Sequence, residues 1–171
     1  ATYTSDRVSL PGGSSATAPY VDLPNGLLSV NGVVNGGSGE LTFEGWFKNT
    51  GSRAWGRIFD FGSSLGAEVT GPGGGGEGWD YFMLSAENNT DVNSRRTELR
   101  NRDPIHIGAT FTRDHATTDF NTDTHFAVTW KESSGVINTY ANGSLVSSMT
   151  VPTQMSEMND VNVWLGRSNW T

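Results

Sequence analysis

The chain has no cysteine, only two lysines, and no apolar run approaching the ~20 residues that a bilayer-spanning helix needs. Without thiols, disulfide bridges and thiolate metal sites are excluded, and 171 residues can bury a core without such staples. The redox compartment stays open. Positive charge is scarce: 11 Lys and Arg stand against 18 Asp and Glu, a formal net charge of −7. That balance excludes nucleic acid as a partner, since phosphate binding needs clustered cations, and excludes an anionic membrane surface. Helix formers never gather into a periodic run, so almost no helix is expected. A charged start followed by an apolar stretch is also missing, so any secretion signal is expected to have been removed or never present.

What the chain does have is turn chemistry: 22 glycines with abundant Thr, Ser and Asn. Short alternating segments lie between the turns. Residues 1–19 are polar and extended in character, with only Val8 and Leu10 alternating as a strand would. In "ELTFEGWFK" (40–48) Leu41, Phe43 and Phe47 point one way, Glu44 and Trp46 the other. "WGRIFDFG" (55–62), "WDYFMLSAE", the charged segment 96–102, "IHIGATFT" and "HFAVTW" (125–130) read as further strands, the last with Phe126, Val128 and Trp130 on one face. In "VINTYANGSLVSSMTV", Asn142-Gly143 predicts a two-residue type I′ hairpin. "VNVWLGRSNW" sets Val161, Val163 and Leu165 opposite Trp164. The glycine run 71–78 reads as a mobile loop; no Gly-Lys-Ser/Thr follows, so it is not a phosphate cradle. About ten strands without crossover helices predict an all-β fold, a two-sheet antiparallel β-sandwich.

In this order, "LTFEGWFK", "RIFDFG", "DYFML", "HFAVTW", "INTYANGSLV" and "WLGRSNW" resemble the concanavalin A-like, laminin G-type jelly-roll domains of secreted bacterial proteins. The resemblance covers residues 20–171 and leaves 1–19 as an extended N-terminal segment. It implies a carbohydrate-binding or adhesion module, lectin-like, outside the cell or at its surface, with polysaccharide or glycan as partner and a structural calcium ion. It also implies that "LGRSNW" is followed by a closing strand with an Ile-Asp-Glu-like core, whereas the sequence stops at Thr171. A missing strand leaves unpaired backbone groups over apolar side chains, to be filled by the chain's own first segment, by that of a neighbouring copy, or by residues of a longer polypeptide. Self-association through that groove makes a structural subunit of a surface assembly the alternative function.

A different match lies in "RRTELRN" (95–101), which resembles the signature of an alginate-lyase family. A polyuronate lyase must neutralise a carboxylate, abstract the neighbouring proton and protonate the leaving oxygen. The family's Gln-x-His and Tyr-Phe-Lys-Ala-Gly segments have no counterpart here; His106 follows the arginines without a matching glutamine. Nor does any strand read Glu-x-Asp-x-Glu, the spacing of carboxylates that flank a scissile glycosidic bond in glycosidases of this fold class. The chain is expected not to be an enzyme. Alternation places Arg96, Glu98, Arg100 and Arg102 on one face, either a solvated ladder paired with acidic residues or a sugar-contacting surface.

Sugar sites pair an aromatic platform with a few polar groups. Trp46 and Trp164, each opposite an apolar strand face, and Trp79 and Tyr81 beside the glycine loop are the candidates, alongside Arg96, Glu98 and Arg100. Trp46 and Trp164 could equally pack beneath a second layer. For calcium, Asp119, Asn121 and Asp123 form the first half of an Asp-x-Asn-x-Asp loop, but Thr124 and Trp130 occupy the positions of its glycine and glutamate. The laminin G resemblance offers Asp80 instead.

Overall fold

Alternation of apolar and polar residues resolves into two facing antiparallel sheets. A computed structural model of the protein describes residues 1–14, 16–51, 54–69, 78–88, 94–102, 109–116 and 122–170. Three two-residue strands come first: β1 (Thr2–Tyr3), β2 (Val8–Ser9) and β3 (Val21–Asp22). The body is built from β4 (Glu40–Phe47), β5 (Arg57–Ser64), β6 (Gly78–Ser85), β7 (Ser94–Asn101), β8 (Ala109–Ala116), β9 (Thr124–Lys131), β10 (Val136–Ala141), β11 (Ser144–Thr150) and β12 (Asn162–Leu165). One sheet has the order β3-β12-β5-β6-β7-β8 and the other β11-β10-β9-β4, while β1 and β2 pair only with each other. Helix among the described residues is limited to four single 3₁₀ turns.

Period two decides which side chains meet between the sheets. Phe59, Phe61, Phe82, Leu84, Leu99 and Val163 from the six-stranded sheet pack on Phe126, Val128, Trp130, Ile137 and Met149 from the four-stranded one. Phe43 stands edge-on to Phe59 and Phe61 at centroid distances of 5.2 and 5.1 Å, an arrangement that suits the ring quadrupoles. The core faces expected for β4 and β9 are those observed; on β12 Val163 and Leu165 face the core as expected, while Val161 precedes the strand and lies outside the core cluster. Asn142 and Gly143 adopt φ of 48° and 79° between β10 and β11, as the turn requires. One polar contact crosses the core: the hydroxyls of Thr97 on β7 and Thr139 on β10 lie 2.7 Å apart.

The strand bounds shift where the backbone departs from plain alternation. The second long strand runs 57–64 rather than 55–62: Trp55 sits in a turn at φ 63°, pairing with β6 continues to Ser64, and a bulge lies between Arg57 and Phe59. Ile58 and Phe59 both reach the core, and Arg57 pairs with Asp60 on the opposite face. The sheets meet at one side, where Arg113 of β8 donates to the Ser148 carbonyl of β11 at 3.2 Å. At the other side β4 has β9 as its single neighbour among the described residues.

Candidate functional site

The outward positions of β5, β6 and β7 bring Asp60, Met83 and Glu98 into one row across the six-stranded sheet, with Tyr81 and Arg100 paired in the next. An open face of this kind would be wet, yet Tyr81, Met83 and Asp60 are at most 2 % exposed. Segments outside the strands fold over it. Asn169 donates its backbone N–H and its side-chain amide to the Asp60 carboxylate at 3.1 and 2.8 Å, and Ser64 donates to the Asn169 carbonyl at 2.5 Å. This carries Trp170 across the sheet to stand edge-on to Tyr81, with the Arg100 guanidinium 5.2 Å from its ring centre. Gly78 makes the approach feasible, since a Cβ there would collide with the Trp170 indole. At the other end Trp55 lies under Arg96 at 5.0 Å. Trp55 sits at φ 63°, a left-handed conformation that costs a bulky residue about 1–3 kcal/mol. Strain of this kind tends to gather where a side chain has to be presented.

Charge on the face is paired. Arg57 donates to Asp60 at 2.9 Å, with side chains 5 % and 0 % exposed. Arg96 holds Asp114 through two parallel bonds of 2.7 and 2.9 Å, which keep that carboxyl below the usual range, and it reaches Glu98 at 3.4 Å. Glu98 also accepts from the hydroxyls of Tyr81 and of Thr112, the latter at 3.1 Å. Burial first, and then the Glu98 carboxylate beside it, push the Tyr81 phenol well above its ordinary value. Tyr81 is therefore a neutral donor at every physiological pH. Glu98, held by three donors, is oriented as an acceptor.

Trp55, Arg57, Tyr81, Met83, Arg96, Glu98 and Trp170 line one end of a groove of about 1790 Å³. Among the residues expected to touch sugar, Tyr81, Arg96, Glu98 and Arg100 thus come together on one face. The arginine ladder is neither purely solvated nor purely exposed: Arg96 pairs across the sheet as a ladder should, but Glu98 is 8 % exposed. Trp164 has the expected orientation on the same face but is 1 % exposed, covered by Arg167, which also stacks on Tyr20. Trp79 lies at the far end beside Arg102, at 37 % exposure. Trp46 belongs to the other sheet, 72 % exposed on β4 against His125. Trp55, Arg57, Asp60, Asn169 and Trp170 were not expected from alternation.

For calcium the described residues offer single carboxylates. Asp80 is buried at the start of β6 and accepts the Arg102 backbone N–H at 2.6 Å. Asp123 is exposed and pairs with Arg7 at 3.4 Å. Asp119 and Asn121 lie outside the described residues, as do His106 and the glycine run up to residue 77. No three His, Asp or Glu side chains gather at metal-binding distance among the described residues.

The sequence matches, over residues 15–171, the profile of a laminin G family within the concanavalin A-like lectin/glucanases superfamily. The chain belongs to that family. The resemblance read over residues 20–171 agrees with this match, and the jelly-roll sandwich is the fold the family implies. No curated protein matches the sequence closely enough to serve as a relative. Among solved structures, this family member is similar to the CBM40 module of the Ruminococcus gnavus IT-sialidase, with TM-score 0.60 and 16 % identity over 88 % of this chain and 79 % of that one. The same module bound to α2,3-sialyllactose matches with TM-score 0.56 and 16 % identity, over 91 % and 83 % of the two chains. The NanB sialidase of Streptococcus pneumoniae matches with TM-score 0.58 and 18 % identity over 89 % of this chain, which spans 21 % of that enzyme. At these identities the likeness is one of fold.

Proposed function

We propose that this chain is a non-catalytic glycan-binding module that takes an acidic oligosaccharide against the outer face of the six-stranded sheet, between Trp55 and Trp170. One observation carries the reading. Three partly exposed arginines, Arg96, Arg100 and Arg102, each stack on an indole, of Trp55, Trp170 and Trp79 in turn, on one face of a protein whose net charge is −7. Indole planes suit the C–H faces of a sugar ring, and guanidinium forks suit a carboxylate. The sialyllactose held by the Ruminococcus gnavus module is a ligand of that chemistry. Against catalysis stands the state of the carboxylates. Asp60 accepts three bonds from Arg57 and Asn169 with no exposure, and Glu98 is held by Tyr81, Thr112 and Arg96. Neither is left to shuttle a proton. Secretion and a structural calcium ion, at Asp80 or at the 119–123 loop, belong to the same reading.

The test is titration with 3′-sialyllactose and with lactose, followed by tryptophan fluorescence and by calorimetry. Binding of the sialylated sugar, and its loss in Arg96→Ala and Trp170→Ala, is the expected result; equal responses to both sugars would refute the acidic preference. A glycan array without a single hit would overturn the module reading. Release of unsaturated uronate from alginate or pectate, abolished by Arg96→Ala, would overturn the non-catalytic one.

A further inference from the structure

The four-stranded sheet ends on β4 in a manner that natural sheet edges avoid. β4 pairs with β9 over eight residues in unbroken register; on its other side Ser38 satisfies the backbone of Glu40, and no strand of the described residues pairs with Leu41–Trp46. It carries no proline, no bulge and no inward-pointing charge, the usual means of keeping an edge from recruiting another strand. Its inward residues Leu41, Phe43 and Phe47 stay only half-buried. Phe43 and Phe47, with Val21, Ile58 and Leu165, line the groove beside this edge, and residues 3–4 and 6–14 line it too.

We propose that this edge is completed by residues 1–11 of a second copy of the chain, added antiparallel to β4, so that reciprocal exchange closes a two-fold dimer. The arm is lightly held where it lies. β1 and β2 join through two residue pairs, Thr2–Ser9 and Tyr3–Val8, and an isolated two-stranded pairing is marginal in water. Its ties to the body among the described residues include Leu10 against Gly166 and the Arg7–Asp123 pair at 3.4 Å, whose side chains are about half exposed. Gly12 and Gly13 follow at φ of 77° and 143°, conformations open to glycine and a natural pivot.

Charge and hydrophobicity select one register. With Arg7 opposite Glu44, which already has His125 at 3.6 Å beside it, Val8 faces Phe43 and Leu10 faces Leu41 on the core side and Ser9 faces Thr42, while Asp6, opposite Gly45, is the one charge this register turns inward. Slipping by one residue turns Val8 and Leu10 to solvent. Slipping by two places Arg7 opposite Trp46 or Thr42 and loses the opposite-charge pair. This inference does not depend on the glycan reading.

Light scattering on the size-exclusion eluate of the whole chain, from dilute to concentrated, tests it. A dimer is expected, and it should be lost when residues 1–11 are deleted. Arg7→Glu should weaken dimerisation by about tenfold or more, and Glu44→Arg in the same chain should restore it. Arg7→Glu also breaks the pair with Asp123 and so frees the arm; if only detachment mattered, the variant would dimerise more strongly. A monomer at every concentration overturns the proposal. So does a dimer that survives the deletion, or one indifferent to both charge changes.

Discussion

Arg57→Ala should be among the most destabilising single changes on the outer face, although it touches no core hydrophobe. Its guanidinium donates to Asp60 at 2.9 Å and to the Trp55 carbonyl at 3.0 Å. With side-chain exposures of 5 % and 0 %, neither partner of the ion pair has water to fall back on. Truncation leaves the Asp60 carboxylate with its two bonds from Asn169 and no counter-charge. Removing one partner of such a buried pair costs about 3–5 kcal/mol. For a chain of this size that is a fall in Tm of roughly 6–20 °C. Arg96→Ala supplies the control. Its pair with Asp114 is equally short, but the side chains are 23 % and 43 % exposed, so its loss should cost only about 0–1 kcal/mol. Urea unfolding of both variants, followed by tryptophan fluorescence and far-UV circular dichroism, gives the two numbers. If Arg57→Ala costs less than about 1 kcal/mol, or no more than Arg96→Ala, then burial is not what gives the Arg57–Asp60 pair its weight.

Two further outcomes follow from buried ionisable groups. Burial, and then the neighbouring Arg95, hold the His115 imidazole down at about 4. The unfolded chain therefore takes up this proton first as pH falls, and stability should drop by about 2 kcal/mol between about pH 7 and pH 5. Asp160, raised by burial, acts in the opposite sense at lower pH, so the slope is best read as the difference between the wild type and His115→Gln. Equal slopes for the two would refute it. If Asp80 holds calcium, added calcium should raise Tm and chelation should reverse the gain, with Asp80→Ala indifferent to both. A metal-loaded protein that keeps its Tm in chelator would count against a structural ion.

The sandwich was legible because period two is enforced along nearly every long strand. Phe43, Phe126, Val128 and Trp130 could be assigned to the core from their neighbours alone, and Asn142-Gly143 set the β10–β11 hairpin. The N-terminal segment was less legible. Val8 and Leu10 alternate as expected, but Val8 pairs with Tyr3 inside its own segment while Leu10 rests on Gly166. Pattern reports that a segment suits a strand; it does not report which edge the segment will meet.

The candidate site was half legible, and the missing half has a physical cause. Alternation identifies the face a strand residue points to, which was enough for Tyr81, Arg96, Glu98 and Arg100. It carries no information about what later lies over that face. Arg57 was hidden by the bulge that brings it to the same side as Asp60. Trp55 and Trp170 belong to no strand, so no periodicity could mark them. Trp164 points outward as its position on the strand requires, and of its two readings, a sugar platform or packing beneath a second layer, the second holds: Tyr20 and Arg167 close over it. The same covering gives the face its ends. The Asn169–Asp60 contact that carries Trp170 onto β6 also narrows an open sheet to the stretch between two indoles.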